Sequence, residues 1–268
     1  MGSSLTARLP QIDFTSADPN WLPCAPHFAH RQNGASLLLP YLEPFLIRVM
    51  RAARPAIEKA APHLLDDLDV FNRQEANHYR VHAAYNRRLL DEYPGLDAYE
   101  AEIKRDFEGF LPERGLAWCL AYSEGFESTG MAFAELVLEE MHDLLEEGDP
   151  SVVELWRWHL AEEFEHRSVV HDVLAVLYPG WWRRVQGVRF CGTHLFGFTG
   201  RVSDFMLELD IERGRLPAAA RDLPTERTVA RTQGRFMAPR MARVLLPGYD
   251  PARRITGPRT QQVLASYA

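Results

Sequence analysis

The residues best suited to hold metal ions fall in two short stretches. Within Trp156–His166, His159, Glu163 and His166 stand at i, i+4 and i+7, positions that share one face of an α-helix. Within Gln74–His82, Glu75, His78 and His82 stand at i, i+3 and i+7, again on one face. Neutral imidazoles and carboxylates projecting together from a helix are ligands for a divalent first-row ion. Two Glu-x-x-His pairs on separate helices, completed by a single Glu from each of two further helices, mark a dinuclear carboxylate site inside a four-helix bundle. One such pair is weak evidence, because charged helix faces produce it often. Two pairs, each with an added His one turn away, are far more specific.

Hydrophobic periodicity supplies the helices that such a site needs. The stripe Leu37, Leu38, Leu42, Phe45, Leu46, Val49 and Met50 predicts a first helix from about Ala35 to Lys59, with Pro40 and Pro44 restricting its entry. Glu43 is the one acid in that apolar half. A carboxylate among Leu and Phe is costly unless it is paired or ligating, so Glu43 is read as a ligand. A second helix is expected over 62–92. The crossover 96–114 carries a short helix over 97–107 ended by Pro112. A third helix follows over 113–147, and a fourth over 151–178 after the Gly148-Asp149-Pro150-Ser151 turn. In antiparallel neighbours, ligands at equal height are equidistant from the connecting turn. Glu43 and Glu75 have their midpoint at Lys59, beside the expected turn. Glu127 and Glu163 have theirs at Leu145, close to Gly148, which favours Glu127 over Glu124 as the third-helix ligand. The predicted set is therefore Glu43, Glu75, His78, Glu127, His159, Glu163 and His166, with His82 as a candidate further ligand. Glu124 is the second choice on its helix. On the fourth helix the Glu-x-x-His spacing selects Glu163, leaving Glu162 or Glu165 to orient a ligand.

Outside the bundle, residues 1–34 read as an irregular arm because Pro10, Pro19, Pro23, Pro26 and Gly34 break periodicity. His27 and His30 are read there as surface or packing residues. Residues 181–268 read as a helical extension packed on the 35–180 bundle. Its first part, 181–213, is rich in Trp, Phe and Arg and suits either a cover over the bundle end or an interfacial membrane contact. A last helix is expected over 224–246, with a loosely ordered tail beyond Pro247.

The net charge of −7 argues against a general nucleic-acid binder. It is unevenly spread: 211–268 holds eleven Arg against four acids. Such a tail either folds back on the acidic body or meets an anionic partner. Three scattered cysteines form no thiolate cluster, and no apolar leader or membrane-length run occurs, so a cytoplasmic location is expected, with peripheral membrane association through 181–213 as the variant. The composition is also compatible with a homodimer.

Carboxylates bridge two hard cations and imidazoles add affinity for transition ions, so two Fe ions fit best, with Mn or Zn as substitutes. A di-iron centre with an open position activates O2, and Phe126, Phe164 and nearby Trp side chains could line an apolar substrate pocket.

Gln74-Glu75-Ala76-Asn77-His78 with His82, and Trp158-His159-Leu160-Ala161-Glu162-Glu163-Phe164-Glu165-His166, resemble the bacterial family named "predicted metal-dependent hydrolase" over roughly 35–210. Two local runs depart from its pattern: Leu42-Glu43-Pro44-Phe45, where a Gly-Glu precedes an aromatic pair, and Glu127-Ser128-Thr129, where a Glu-His-Phe-Thr run is usual. The His159/Glu163/His166 trio is similar to di-iron enzymes of the p-aminobenzoate N-oxygenase type. The resemblance implies an all-α, ferritin-like four-helix bundle with additional C-terminal helices. It leaves three activities: O2-dependent oxidation of a small organic substrate with an external electron donor, metal-dependent hydrolysis at the same site, or iron storage of the ferroxidase kind. The first is the principal expectation.

Overall fold

The computed structural model describes residues 5–267, and every regular element among them is helical. Four helices frame the interior: α1 (Pro26–Ala60), α2 (Leu65–Glu92), α4 (Leu116–Glu135) and α6 (Pro150–Glu165). Between them lie α3 (Leu96–Arg114) and the short α5 (His142–Leu145). After them come α7 (Val169–Leu177), α8 (Trp181–Glu212), α9 (Pro224–Val244) and α10 (Pro258–Ser266).

Several boundaries differ from the sequence expectation. The arm ends earlier than residue 34, because α1 already begins at Pro26, whose fixed φ suits a first helical turn. The arm's first four residues lie outside the described ones. Pro40, Pro44 and Pro55 all sit inside α1, which runs on through them. The backbone bonds they remove are offset by burial of Leu37, Leu42, Phe45, Leu46 and Val49. Pro40 has no N–H to give the Ser36 carbonyl, and Asn86 Nδ2 donates to that oxygen instead (2.8 Å). The crossover helix α3 is longer than expected and carries Pro112 within its last turn. The third helix is not continuous: α4 passes into a π turn over Leu136–Glu140 before α5. The fourth helix starts where Asp149 caps Ser151 and Val152 N–H, but it breaks at His166. There Arg167 Nη1 takes up the freed Phe164 carbonyl (2.7 Å).

The tail beyond Pro247 is ordered rather than loose. Arg254 and Arg240 both pair with Glu135, and Glu139 accepts from Thr260 N–H (2.9 Å) and Oγ1 (2.8 Å). Much of the basic extension thus folds back on the acidic body. His30 is a packing residue, buried against Asp210 Oδ2 (3.0 Å). One face of α8 is buried through Val188, Cys191, Leu195, Phe198, Val202 and Met206, so 181–213 does pack on the body. No helix among the described residues is long and apolar enough to cross a membrane.

α8 crosses α4 at backbone contact through Gly125 and Gly187. A Cβ on Gly187 would overlap the Ala121 carbonyl, and one on Gly125 would stand 2.8 Å from the Gly187 carbonyl oxygen. Gly187→Ala should therefore cost about 1–3 kcal/mol in urea unfolding. Gly200→Ala, whose Cβ meets open space in the same helix, should instead add about 0.5–1 kcal/mol. Equal effects at the two positions would contradict the close crossing.

Candidate metal centre

α1, α2, α4 and α6 turn seven of the predicted side chains toward one buried locus. Glu43, His78, His159 and Glu163 form one group and Glu75, Glu127 and His166 a second; within each, one donor atom per residue lies within 4.8 Å of the others. All seven are buried. Two carboxylates stand between the groups. Glu163 Oε1 lies 3.8 Å from His78 Nδ1, 3.4 Å from His159 Nε2 and 3.6 Å from His166 Nε2. Glu75 Oε1 lies 3.9 Å from His78 Nδ1 and 3.4 Å from His166 Nε2. Gly130 makes room for Glu163, since a Cβ there would come within 2.8 Å of Oε2.

Apart from the 3.2 Å approach of His166 Nε2 to Glu127 Oε2, the protein leaves these donors without well-formed partners. Both oxygens of Glu43, Glu75, Glu127 and Glu163 lack a hydrogen-bond partner, as do His78 Nδ1 and His166 Nε2. A buried polar atom left this way costs about 1–3 kcal/mol, and more when charged. Cations at the centre of the two groups would remove that cost, and the Glu/His donor set suits divalent ions. The seven residues therefore fit metal. Without it, the electrostatics are strained. Burial, then Glu75, Glu163 and Glu127, pushes Glu43 well above the usual carboxylate range. Burial and Glu163 do the same to Glu75. Burial raises Glu127 to about 7 against the pull of His166. Burial also opposes ionisation of Glu163, but His166, His159 and His78 outweigh it and bring that carboxyl down to about 2. Burial opposes charge on His166 too, yet Glu127 and Glu163 raise it well above the ordinary histidine value.

The outward ring nitrogens are each held. His78 Nε2 meets Glu162 Oε2 (3.0 Å), and Glu162 Oε1 accepts from Arg8 N–H (2.9 Å) and Nη1 (3.1 Å). His166 Nδ1 meets Gln74 Oε1 (3.1 Å), whose amide nitrogen donates to Glu165 Oε2 (2.7 Å). Arg8 also bonds Glu165 through Nη1 (2.9 Å) and Nη2 (3.1 Å). Glu162 and Glu165 thus orient histidines from behind, and a single arginine from the N-terminal arm ties them together.

His82 does not join the cluster, contrary to its reading as a further ligand. Asn86 Nδ2 is turned to the Ser36 carbonyl, so its Oδ1 accepts the Ser36 hydroxyl (2.6 Å). Ser36 Oγ must then accept from His82 Nδ1–H (2.8 Å), and His82 Nε2 from His159 Nδ1–H (3.1 Å). This chain leaves the His159 Nε2 lone pair facing Glu163. Burial, reinforced by His159 and His78, keeps His82 well below its ordinary value and hence neutral; burial and His78 bring His159 down to about 3. The spacing that made His82 look like a ligand places it one turn too far along α2. Glu124 also stands apart, accepting from Ser128 Oγ (3.0 Å) and close to His171 Nδ1 (3.2 Å). Arg8, Ser36 and Asn86 were missed in the sequence, and Gln74 carried no assigned role. Only Gln74 had a signal, its place beside Glu75.

A cavity of about 600 Å³ reaches the cluster at His159 and Glu163. Its walls are mainly apolar, including Leu38, Leu39, Phe126, Phe133, Trp156 and Met237. Phe126 and Trp156 thus line a pocket as expected, whereas Phe164 is core beneath Arg167. None of the three cysteines is near enough to serve as a thiolate ligand, and burial lifts the Cys119 thiol to about 12.

Residues 6–254 match the sequence pattern of one protein family, described as predicted metal-dependent hydrolase. The chain belongs to that family. No curated protein and no solved structure matches it. The matched span takes in Arg8 as well as all seven clustered residues, so the arm that steadies Glu162 and Glu165 lies within the family's own bounds. The family's stated metal dependence and the buried Glu/His groups both point to divalent metal binding.

The shifts fix a pH dependence. Above about pH 7 the unfolded histidines are neutral, and Glu163, His159 and His82, lowered in the fold, contribute no further change. Glu43, Glu75, Glu127 and His166, raised in the metal-free fold, lose stabilisation as pH rises through their folded values. The melting-temperature gain from Mn(II) should therefore grow as pH rises through about 7, the folded value of Glu127; a gain that shrinks would contradict the assignment. His82→Leu should keep its metal at saturation while weakening affinity about 10–100-fold. Loss of a metal even at saturation would make His82 a ligand after all.

Proposed function

We propose that the protein is a dinuclear non-haem iron enzyme that uses O2 to oxidise or oxygenate a small, largely apolar organic substrate. The observation that carries this reading is the opening of an unsatisfied Glu/His cluster, through His159 and Glu163, onto an apolar cavity. In it Glu43, His78 and His159 would hold one ion and Glu127 and His166 the other, with Glu75 and Glu163 placed between the two groups. Four carboxylates neutralise two divalent charges, and the arrangement suits a ferritin-like bundle. Two irons bound there would supply the reducing power and the open coordination that O2 activation needs.

The chain's own residues do the rest. His82 and Ser36 fix the His159 tautomer, Glu162 fixes His78, and Gln74 fixes His166. Leu38, Leu39, Phe126 and Phe133 exclude water and hold an apolar substrate against the face formed by His159 and Glu163. Electrons come from an external donor. The family description favours a second reading, in which the same ions activate water for hydrolysis. The apolar walls favour the first, because a hydrolase must also bind a polar scissile group.

Protein loaded anaerobically with Fe(II) and supplied with a reductant should consume O2 with conversion of an apolar substrate. Ester cleavage by Mn- or Zn-loaded protein without O2 would establish the hydrolase instead, and iron oxidation without organic product would indicate storage. Glu163→Ala and His78→Ala should each lose at least one metal per chain by elemental analysis, while Glu124→Ala keeps full occupancy. Full retention in both ligand variants would refute the ligand assignment.

A further inference from the structure

The cavity opens between two helices that run antiparallel along its mouth. Trp181 Nε1 donates to the Leu245 carbonyl (2.7 Å) and Arg184 Nη2 to the Leu246 carbonyl (2.6 Å), joining the start of α8 to the end of α9. Arg221 pairs with Asp204 (3.0 Å), joining the other ends. Between these ties, Gly192 and Phe196 of α8 and Ala230, Gly234 and Ala238 of α9 line the cavity, and because Phe196, Ala230, Gly234 and Ala238 are also exposed the mouth lies here.

This rim is unusual in two respects. It exposes large apolar side chains: Trp182 is 61% exposed, Phe196 56% and Leu246 57%, with Trp181 and Leu245 beside them. Between the two ties its own helices bear only positive charge. No acid occurs from Trp181 to Ser203 or from Arg227 to Leu246. The side chains of Arg189, Arg231, Arg235 and Arg243 have no ion-pair partner among the described residues, and all four are exposed. Arg231 and Arg235 each follow a mouth residue, Ala230 and Gly234, so the charges border the opening itself.

We propose that the α8/α9 rim is a docking surface for an anionic lipid membrane, onto which the cavity opens. Exposed Trp, Phe and Leu enter the headgroup region, and unpaired arginines meet lipid phosphates. A second copy of this chain fits less well, because a two-fold contact through the rim would bring like-charged arginine rows together. Membrane delivery of the substrate through this mouth rests on the oxygenase reading; the docking does not.

Flotation of the metal-loaded protein with vesicles tests it. Vesicles of phosphatidylcholine with about a third phosphatidylglycerol should carry the protein, pure phosphatidylcholine should carry little, and added salt should release it. Binding should shift tryptophan emission to the blue. Arg231→Glu with Arg235→Glu should weaken binding at least about tenfold, and Trp182→Ala should remove much of the shift, both with unchanged metal content and melting temperature. Binding by metal-depleted Glu163→Ala should be unchanged, which separates docking from the site's chemistry. Absence of binding, equal binding to neutral vesicles, or a concentration-dependent dimer abolished by Trp182→Ala would overturn the proposal.

Discussion

The structure depends on one electrostatic conflict. Four glutamates from four helices are packed into an interior where none of their oxygens makes a well-formed hydrogen bond and His166 Nε2, 3.2 Å from Glu127 Oε2, is the nearest donor to that carboxylate. Left alone, such a core favours protonation of some carboxylates and charge on His166, as the opposed shifts of Glu43, Glu75, Glu163 and His166 display. Divalent cations resolve the conflict in one step, because they supply the charge that neither solvent nor protein can. Much of the remaining architecture keeps these side chains aimed inward while leaving one side open to an apolar space.

The aiming is done from outside the cluster. Each histidine is steadied through its far nitrogen by a different device: a carboxylate behind His78, an amide behind His166 and a second imidazole behind His159. The last of these traces back to a proline. Pro40 withholds an N–H from the Ser36 carbonyl, Asn86 takes that oxygen, and the resulting orientation of Asn86 sets every proton down the chain to His159. A residue that reads as a helix breaker thus sets the tautomer of a candidate ligand.

These devices explain what was legible in the sequence. The two Glu-x-x-His pairs and the equal spacing of Glu43/Glu75 and Glu127/Glu163 about their turns depend on helical period and antiparallel pairing, both written in local sequence. The all-α class followed from the same periodicity. What could not be read depends on contacts between distant segments. Arg8 meets Glu162 and Glu165 across more than a hundred and fifty residues, from an arm without periodicity. His82 shares the spacing of a ligand, and only its packing against Ser36 and His159 removes it from the cluster. The break at His166 and the π turn after Glu135 have no Pro or Gly to announce them, so they too emerge only from tertiary packing.

Two ions should sit where the orphaned donors converge. Anomalous-difference maps from crystals of iron- or manganese-loaded protein test it most directly. Two peaks about 3.5–4 Å apart are expected, one beside Glu43, His78 and His159, the other beside Glu127 and His166, with Glu75 and Glu163 between them. A single peak, or metal bound away from these side chains, would contradict it.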